Sequence, residues 1–368
     1  MGIKSIKYVE FYVGNATQAA FYYHNAFGFE PVAIADLKTG DRERTSIIVR
    51  QNDVNLVLTS ALSPDNPIAE FVKQHGDSVR DIALTVDDAR EAFEQSVKNG
   101  AIPLQSPTRH EHNGTSVVTA TVGAYGDLVH TFIQQDEEQT DWVLPGYQKL
   151  RTGANGHATG LAAIDHLAMC VEAKQLGDVV NFYERAFGFH VLHQEGVVTQ
   201  QSAMNSEVVQ NQDGKIKFSM MEPRPNQHTS QIQEYLTFHR GPGVQHIALL
   251  CHDIVDTVRA LRTNGVGFLR TPHTYYDALE NRLGKIEEDQ QALRDLGILV
   301  DRDQSGLLFQ IFTMPLYARP TAFMEIIERK GSHGFGSGNI KALFEAVELE
   351  QAARGTLKIP KAQSASQT

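Results

Sequence analysis

The chain has 368 residues, 41% hydrophobic and 21% charged, with a net charge of −11, which is enough apolar material for two sizeable cores in a globular protein. Without a clustered run of Lys and Arg, that balance excludes a nucleic-acid groove and an anionic membrane surface as partners. Cys170 and Cys251, each in an apolar run, exclude a disulfide framework and a Cys-based zinc site, "MGIKSIKYVE" has no signal core, and no run approaches the ~20 apolar residues of a membrane span, so a cytoplasmic protein is expected.

The chain begins with a strand pattern, "IKYVEFYV", and a helix pattern closed by glycine, "AAFYYHNAFGFEPV". Both return from Ile164 as "IDHLAMCV" and "VNFYERAFGFHVL". A second pair lies downstream, where "VRDIALTVDD" through "NGAIPLQSPT" recurs as "VQHIALLCHD" through "NGVGFLRTPH". Such internal repetition predicts four modules in two halves. Each module reads as strand, helix and then alternating strands, a βαβββ unit. The expected fold is α+β, with tandem βαβββ modules forming two open eight-stranded barrels. The N-terminal domain is placed at 1–150 and the C-terminal domain at 160–353. A linker spans Gln134 to Gly160, and a disordered tail runs over 354–368.

Because the halves share an architecture, their differences point to what only one of them does. Tyr8 corresponds to His166, Asp81 to His246 and Thr131 to Glu325. His166, His246 and Glu325 each lie on an apolar strand of alternating pattern, so their side chains should point inward. Two imidazoles and one carboxylate on one face of a divalent ion form the facial triad that suits non-heme Fe(II), leaving three positions open. The "RHEHN" cluster, Arg109 to Asn113, lies in the other half and is read as a polar loop without a metal role.

The chain closes with "GSGNIKALFEAVELE", a glycine-loosened stretch, an Asn helix cap at Asn339 and a helix with Ile340, Leu343, Phe344 and Val347 on its apolar side. "GVQHIAL", "LLFQIFT", "FMEIIERKG" and "GFGSGNIKALFEAVE" resemble the 4-hydroxyphenylpyruvate dioxygenase family of the vicinal-oxygen-chelate superfamily, over nearly the whole chain. The resemblance implies Fe(II) at His166, His246 and Glu325, with 4-hydroxyphenylpyruvate and O2 as substrates. It also implies a homodimer or homotetramer, and a pocket that includes Phe312, Phe323 and Phe335. Gln231, Gln245, Gln310 and Ser206 would line or brace that pocket.

The family divides into dioxygenases that attack the aromatic ring and give homogentisate, and synthases that hydroxylate the benzylic carbon and give 4-hydroxymandelate. Dioxygenases usually begin the last helix with "GNF", whereas this chain has "GNI" with Ile340. Where they commonly show "P-x-N-E-P", this chain has "SMMEP" with Ser219 and Met221, and "AMNSEVVQ" is similar to the synthase version. The resemblance therefore implies the synthase activity, with Ile340 directing regiochemistry; the alternative is the dioxygenase. Phe344 stands where a tyrosine is typical. Ile340 also reads as first-turn packing and Met221 as core filling. The terminal helix would act as a lid that excludes water. Two neighbouring classes remain open on the same architecture: a metal-free binding module, and an extradiol dioxygenase that releases no CO2.

Overall fold

The computed structural model describes residues 2–112, 115–135, 144–151, 158–198, 203–224 and 230–355. In the first half, β1 (Ile3–Tyr12), α1 (Ala16–Phe27), β2 (Glu30–Ala35), β3 (Arg44–Gln51) and β4 (Val54–Ala61) make one βαβββ module. After α2 (Pro67–His75), the second is β5 (Ser78–Val86), α3 (Ala89–Lys98), β6 (Ile102–His112), β7 (Thr115–Gly123) and β8 (Val129–Gln135). A short β9 (Gln148–Lys149) pairs with the edge of β2, so this sheet has nine strands instead of the expected eight.

The second half repeats the plan with β10 (Leu161–Cys170), α4 (Leu176–Phe187), β11 (His190–Val198), β12 (Ala203–Gln210) and β13 (Lys217–Pro223). It continues through α5 (Gln231–His239), β14 (Gly243–Cys251) and α6 (Ile254–Thr263). Here the repeat breaks. Where the first half enters the long β6, the second inserts α7 (His273–Asp277), α8 (Leu279–Leu283) and α9 (Gln290–Leu296) before β15 (Leu299–Arg302). Then β16 (Leu307–Phe312), β17 (Phe323–Lys330) and α10 (Ser337–Arg354) complete the described chain. The second sheet has eight strands, and its modules join through antiparallel β10 and β14, as β1 and β5 join the first sheet.

The two first helices show why the repeated sequence folds alike. Each ends at a glycine in the left-handed region, Gly28 at φ 76° and Gly188 at φ 70°, whose N–H closes the last turn. The strand alternation then sorts side chains between two environments. On β1 and β10 the odd-numbered Val9, Phe11, Leu167 and Met169 join one continuous apolar cluster with Ile82, Phe132, Ile247, Phe309 and Ile326. That cluster also holds Phe27 and Phe187 from the helices, so both sheets share one core. From Tyr8 and His166 onward the even-numbered residues of these strands face the inner side of each sheet. In the first half these include Tyr8, Glu10 and Tyr12, which line a cavity of about 430 Å³ together with Asp81, Thr131 and Tyr147.

Gln134 and Gln135, expected in the linker, belong to β8, and Tyr147 is buried with its hydroxyl 2.6 Å from Ser46 Oγ. Residues 136–143 and 152–157 of that linker and 356–368 of the expected tail lie outside the described residues. Arg109 to His112 form the end of strand β6 instead of a loop, because they pair antiparallel with β7; Asn113 lies outside the described residues. Among the described residues, no helix is long and apolar enough to cross a membrane.

Candidate metal centre

The register of the second sheet brings three distant strand positions together. β10 and β14 pair antiparallel with Ala168 opposite His246, and β14 and β17 pair parallel with Ala248 opposite Glu325. His166, His246 and Glu325 are all buried, and one donor atom from each lies within 4.8 Å of the others. Glu325 Oε2 stands 3.3 Å from His166 Nε2 and 3.5 Å from His246 Nε2. In the chain without metal, burial works against a charged His166, but the Glu325 and Asp165 carboxylates outweigh it and push its pKa up to about 9. Burial pushes His246 down. Burial would raise Glu325, yet the two imidazoles hold it at about 2. The three donors thus perturb one another strongly. A divalent cation fits the same place, with neutral imidazoles and an ionised carboxylate as ligands.

Aromatic rings surround the donors. Phe323 stacks on His246 with ring centres 4.7 Å apart, and Phe312 meets the same imidazole edge-on at 6.1 Å. Phe335 meets His166 edge-on at 5.4 Å. Gln231, Gln245 and Phe323 line one small cavity, with Glu234, Val347 and Arg354. Gln245 reaches it from a bulge: Ala168 pairs with His246 and Met169 with Val244, leaving Gln245 as the extra residue. The side-chain amide oxygen of Gln310 is buried and has no hydrogen-bond partner among the described residues. Ser206 is buried opposite Met221 on the neighbouring strand, and Ser219 shares the inner face of β13 with Met221.

Ile340 packs against a cluster of Ala168, Cys170, Met204, Met221, Ile232, Tyr235 and Leu236. Two of the departures noted in the sequence, Ile340 and Met221, therefore belong to one wall. Ala342, Leu343 and Val347 pack instead against Leu269, Leu299 and Phe312. Phe344 lies in α10, but its side chain is outside the described residues.

The start of α10 corrects one expectation. The helix begins at Ser337, and the N–H groups of Asn339 and Ile340 both donate to Gly336 O, so Asn339 is inside the first turn and is not its cap. Its side-chain oxygen accepts from Tyr275 Oη at 2.6 Å, and Arg282 Nη1 donates to Gly338 O at 2.9 Å. The inserted helices α7 and α8 therefore seat the start of α10. Gly336, at φ 74°, lies so close over Gln310 that an added Cβ would collide with its amide.

Two groups behind His166 escaped the sequence reading. Asp165 Oδ1 accepts from His166 Nδ1 at 2.8 Å, and Arg329 donates to both Asp165 oxygens, from Nε at 2.6 Å and Nη2 at 2.8 Å. Burial would raise the Asp165 carboxyl, but the bonds from Arg329 and His166 hold it far below the usual carboxylate range. A signal for Asp165 existed beside His166, since "IKY" in one half becomes "IDH" in the other.

The paired βαβββ modules and the buried donor set define a vicinal-oxygen-chelate protein with a candidate His-His-Glu metal site. Residues 163–311 match the family described as Glyoxalase/Bleomycin resistance protein/Dioxygenase superfamily, and residues 1–142 match "Hydroxyphenylpyruvate dioxygenase, HPPD, N-terminal". The 4-hydroxyphenylpyruvate dioxygenase of Danio rerio is 40% identical, covering 98% of this chain and 94% of that protein; that of Neurospora crassa is 40% identical, covering 95% and 92%. Among solved structures, a mutant of 4-hydroxymandelate synthase from Streptomyces coelicolor aligns with a TM-score of 0.87 and 40% identity, over 95% of this chain and 100% of that one. The Mn(II)-bound glyoxalase from Novosphingobium aromaticivorans, at 12% identity and TM-score 0.53, shares the fold alone. The chain belongs to the 4-hydroxyphenylpyruvate dioxygenase family, and it is a dioxygenase.

Proposed function

We propose that this chain converts 4-hydroxyphenylpyruvate and O2 to 4-hydroxymandelate and CO2, using Fe(II) bound by His166, His246 and Glu325. When bound, the ion supplies the redox chemistry that couples loss of CO2 from the 2-oxo acid to cleavage of O2. The protein supplies donors, walls and exclusion of water. Phe323 stacks on His246 and meets Phe312 edge-on at 6.2 Å, an aromatic corner suited to an arene. Gln231, Gln245 and Gln310 offer uncharged polar groups that orient substrate without competing for the ion. Helix α10 covers the opening and keeps water out.

The observation that carries the synthase reading is the contact of Ile340 with the Met221 wall. Neither Ile340 nor Met221 carries a ring that would hold the substrate arene in one plane, although Tyr235 stands in the same cluster. An arene free to turn from this wall brings its benzylic carbon, not its ring carbon, toward the metal side. The second reading, formation of homogentisate, draws on the names of the relatives from Danio rerio and Neurospora crassa. Chromatography of the aromatic product formed from 4-hydroxyphenylpyruvate, Fe(II), ascorbate and air separates the two. The expected product is 4-hydroxymandelate, and mainly homogentisate overturns the synthase reading. The buried free thiols Cys170 and Cys251 support a reducing, cytoplasmic setting.

A further inference from the structure

Directly behind His166, strand β10 carries a bulge. Ile164 pairs with Leu249 and His166 with Ala248, so Asp165 has no partner residue in β14. The bulge lets two consecutive side chains both be buried, Asp165 at 8% exposure and His166 at 5%. Ionised Asp165 can only accept, so the proton sits on His166 Nδ1 and Nε2 is left to face the centre. Arg329 grips both Asp165 oxygens and also donates to Ser332 O at 3.3 Å and Gly334 O at 2.6 Å. Its guanidinium lies 5.6 Å from the ring centre of Phe335, the ring that meets His166. One side chain therefore holds the group behind a metal donor and the segment that leads into α10.

The sister half provides a control within the molecule. Strand β1 bulges at the equivalent Lys7, between the pairs Ile6 with Leu84 and Tyr8 with Ala83. Lys7 Nζ donates to Gln135 Oε1 at 2.7 Å, and Gln135 is the counterpart of Arg329, each four residues after Thr131 and Glu325. The architecture brings these two positions into contact in both halves. Only the half with the imidazole donors fills them with a carboxylate and a guanidinium, a pairing that forms bidentate charged hydrogen bonds.

We propose that Asp165 and Arg329 are positioning residues that join the metal centre to the lid: they fix the His166 ring for the ion and tie residues 332–340 to the same pair, so that metal occupancy and lid docking favour each other. Such linkage is reciprocal. The inference rests on the metal assignment proposed above, and the test separates the two. Anaerobic titration with Co(II), followed by its visible absorption, is combined with hydrogen exchange of residues 332–345 with and without the metal. His246→Ala checks the underlying assignment: wild-type Co(II) binding there removes the metal reading itself. With that binding lost, Asp165→Asn and Arg329→Met are expected to bind Co(II) 10- to 100-fold more weakly, with an altered spectrum. The metal-induced slowing of exchange at 332–345 should disappear in Arg329→Met and return in part in Arg329→Lys, which restores charge without the fork. Lys7→Met should change neither readout. The proposal is overturned if Arg329→Met keeps wild-type affinity and spectrum, or keeps the metal-dependent protection, or if its exchange quickens equally in both sheets whether or not metal is present.

Discussion

Apart from the added β9, the two halves pair their strands in the same order, yet the three equivalent positions on their inner faces do different things. In the second half, His166, His246 and Glu325 turn donor atoms toward one point. In the first, Tyr8 Oη donates to Asp81 Oδ2 at 3.4 Å, and Asp81 Oδ1 accepts the Thr131 N–H at 3.0 Å. The polar groups there are answered by one another, and a further chain runs from Tyr147 through Ser46 and Thr59 to Glu10. Topology brings three side chains together in both; their chemistry decides whether they form a hydrogen-bonded network or a candidate metal centre. Among the described residues the second half alone adds α7 to α9, and α7 and α8 hold the start of the terminal helix.

The largest effect should come from breaking the donor set. His166→Ala, His246→Ala and Glu325→Ala should each abolish turnover, since two remaining ligands hold Fe(II) weakly and in the wrong geometry. Metal analysis after anaerobic reconstitution should find little iron in any of them. The matching changes in the first half, Tyr8→Phe and Thr131→Val, should retain full iron content. Iron lost from these and kept in the others would reverse the comparison between the halves.

Removing the chain from Gly336 onward tests the feature that only the second half possesses. O2 uptake should continue without matching aromatic product, because the opened site admits water and reductant. An oxygen electrode run beside product chromatography reads the ratio, and unchanged coupling would show that α10 is not a lid.

A smaller and more selective effect is expected from Ile340→Phe. The donors are untouched, so substrate consumption should persist, while the product ratio moves toward homogentisate. A tenfold change in that ratio needs only about 1.4 kcal/mol between two barriers. Strain from the larger side chain of about 1–3 kcal/mol should slow the overall rate, which makes the ratio the informative quantity. A variant yielding only 4-hydroxymandelate would leave Met221 and Ser219 as the next residues to change.

The smallest effect lies in the first half and touches stability alone. Burial first, and then the neighbouring Glu10, raise the Asp81 carboxyl to about 7. Because the folded value lies above the unfolded one, ionisation works against the fold: the penalty is absent below about pH 4, grows with pH and is complete above about pH 7. Asp81→Asn should therefore gain stability relative to wild type at pH 8 and little at pH 4, with iron content unchanged. Denaturant melts at the two pH values measure this, and an equal difference at both would remove the buried charge as its cause.

Much of this protein was legible in its sequence because side-chain direction on a strand has period two and because the chain repeats itself. Period two assigned His166, His246 and Glu325 to inner faces, and the repeat showed that their counterparts Tyr8, Asp81 and Thr131 were of another kind. Where a bulge breaks that period, as at Asp165 and Gln245, the pattern misdirects, and both lie in or beside the centre. The strand character of Arg109 to His112 was hidden by their polarity, since pairing with β7 and not hydrophobic pattern defines that strand. The seat of α10 was equally hidden, because Asn339 looks like a helix cap until Tyr275, 64 residues earlier, is brought beside it. Arg329 meets Asp165 across 164 residues. Local periodicity can say which face of a strand a residue occupies, but which distant residue it meets is set by register, bulges and packing, and those exist only once the chain has folded.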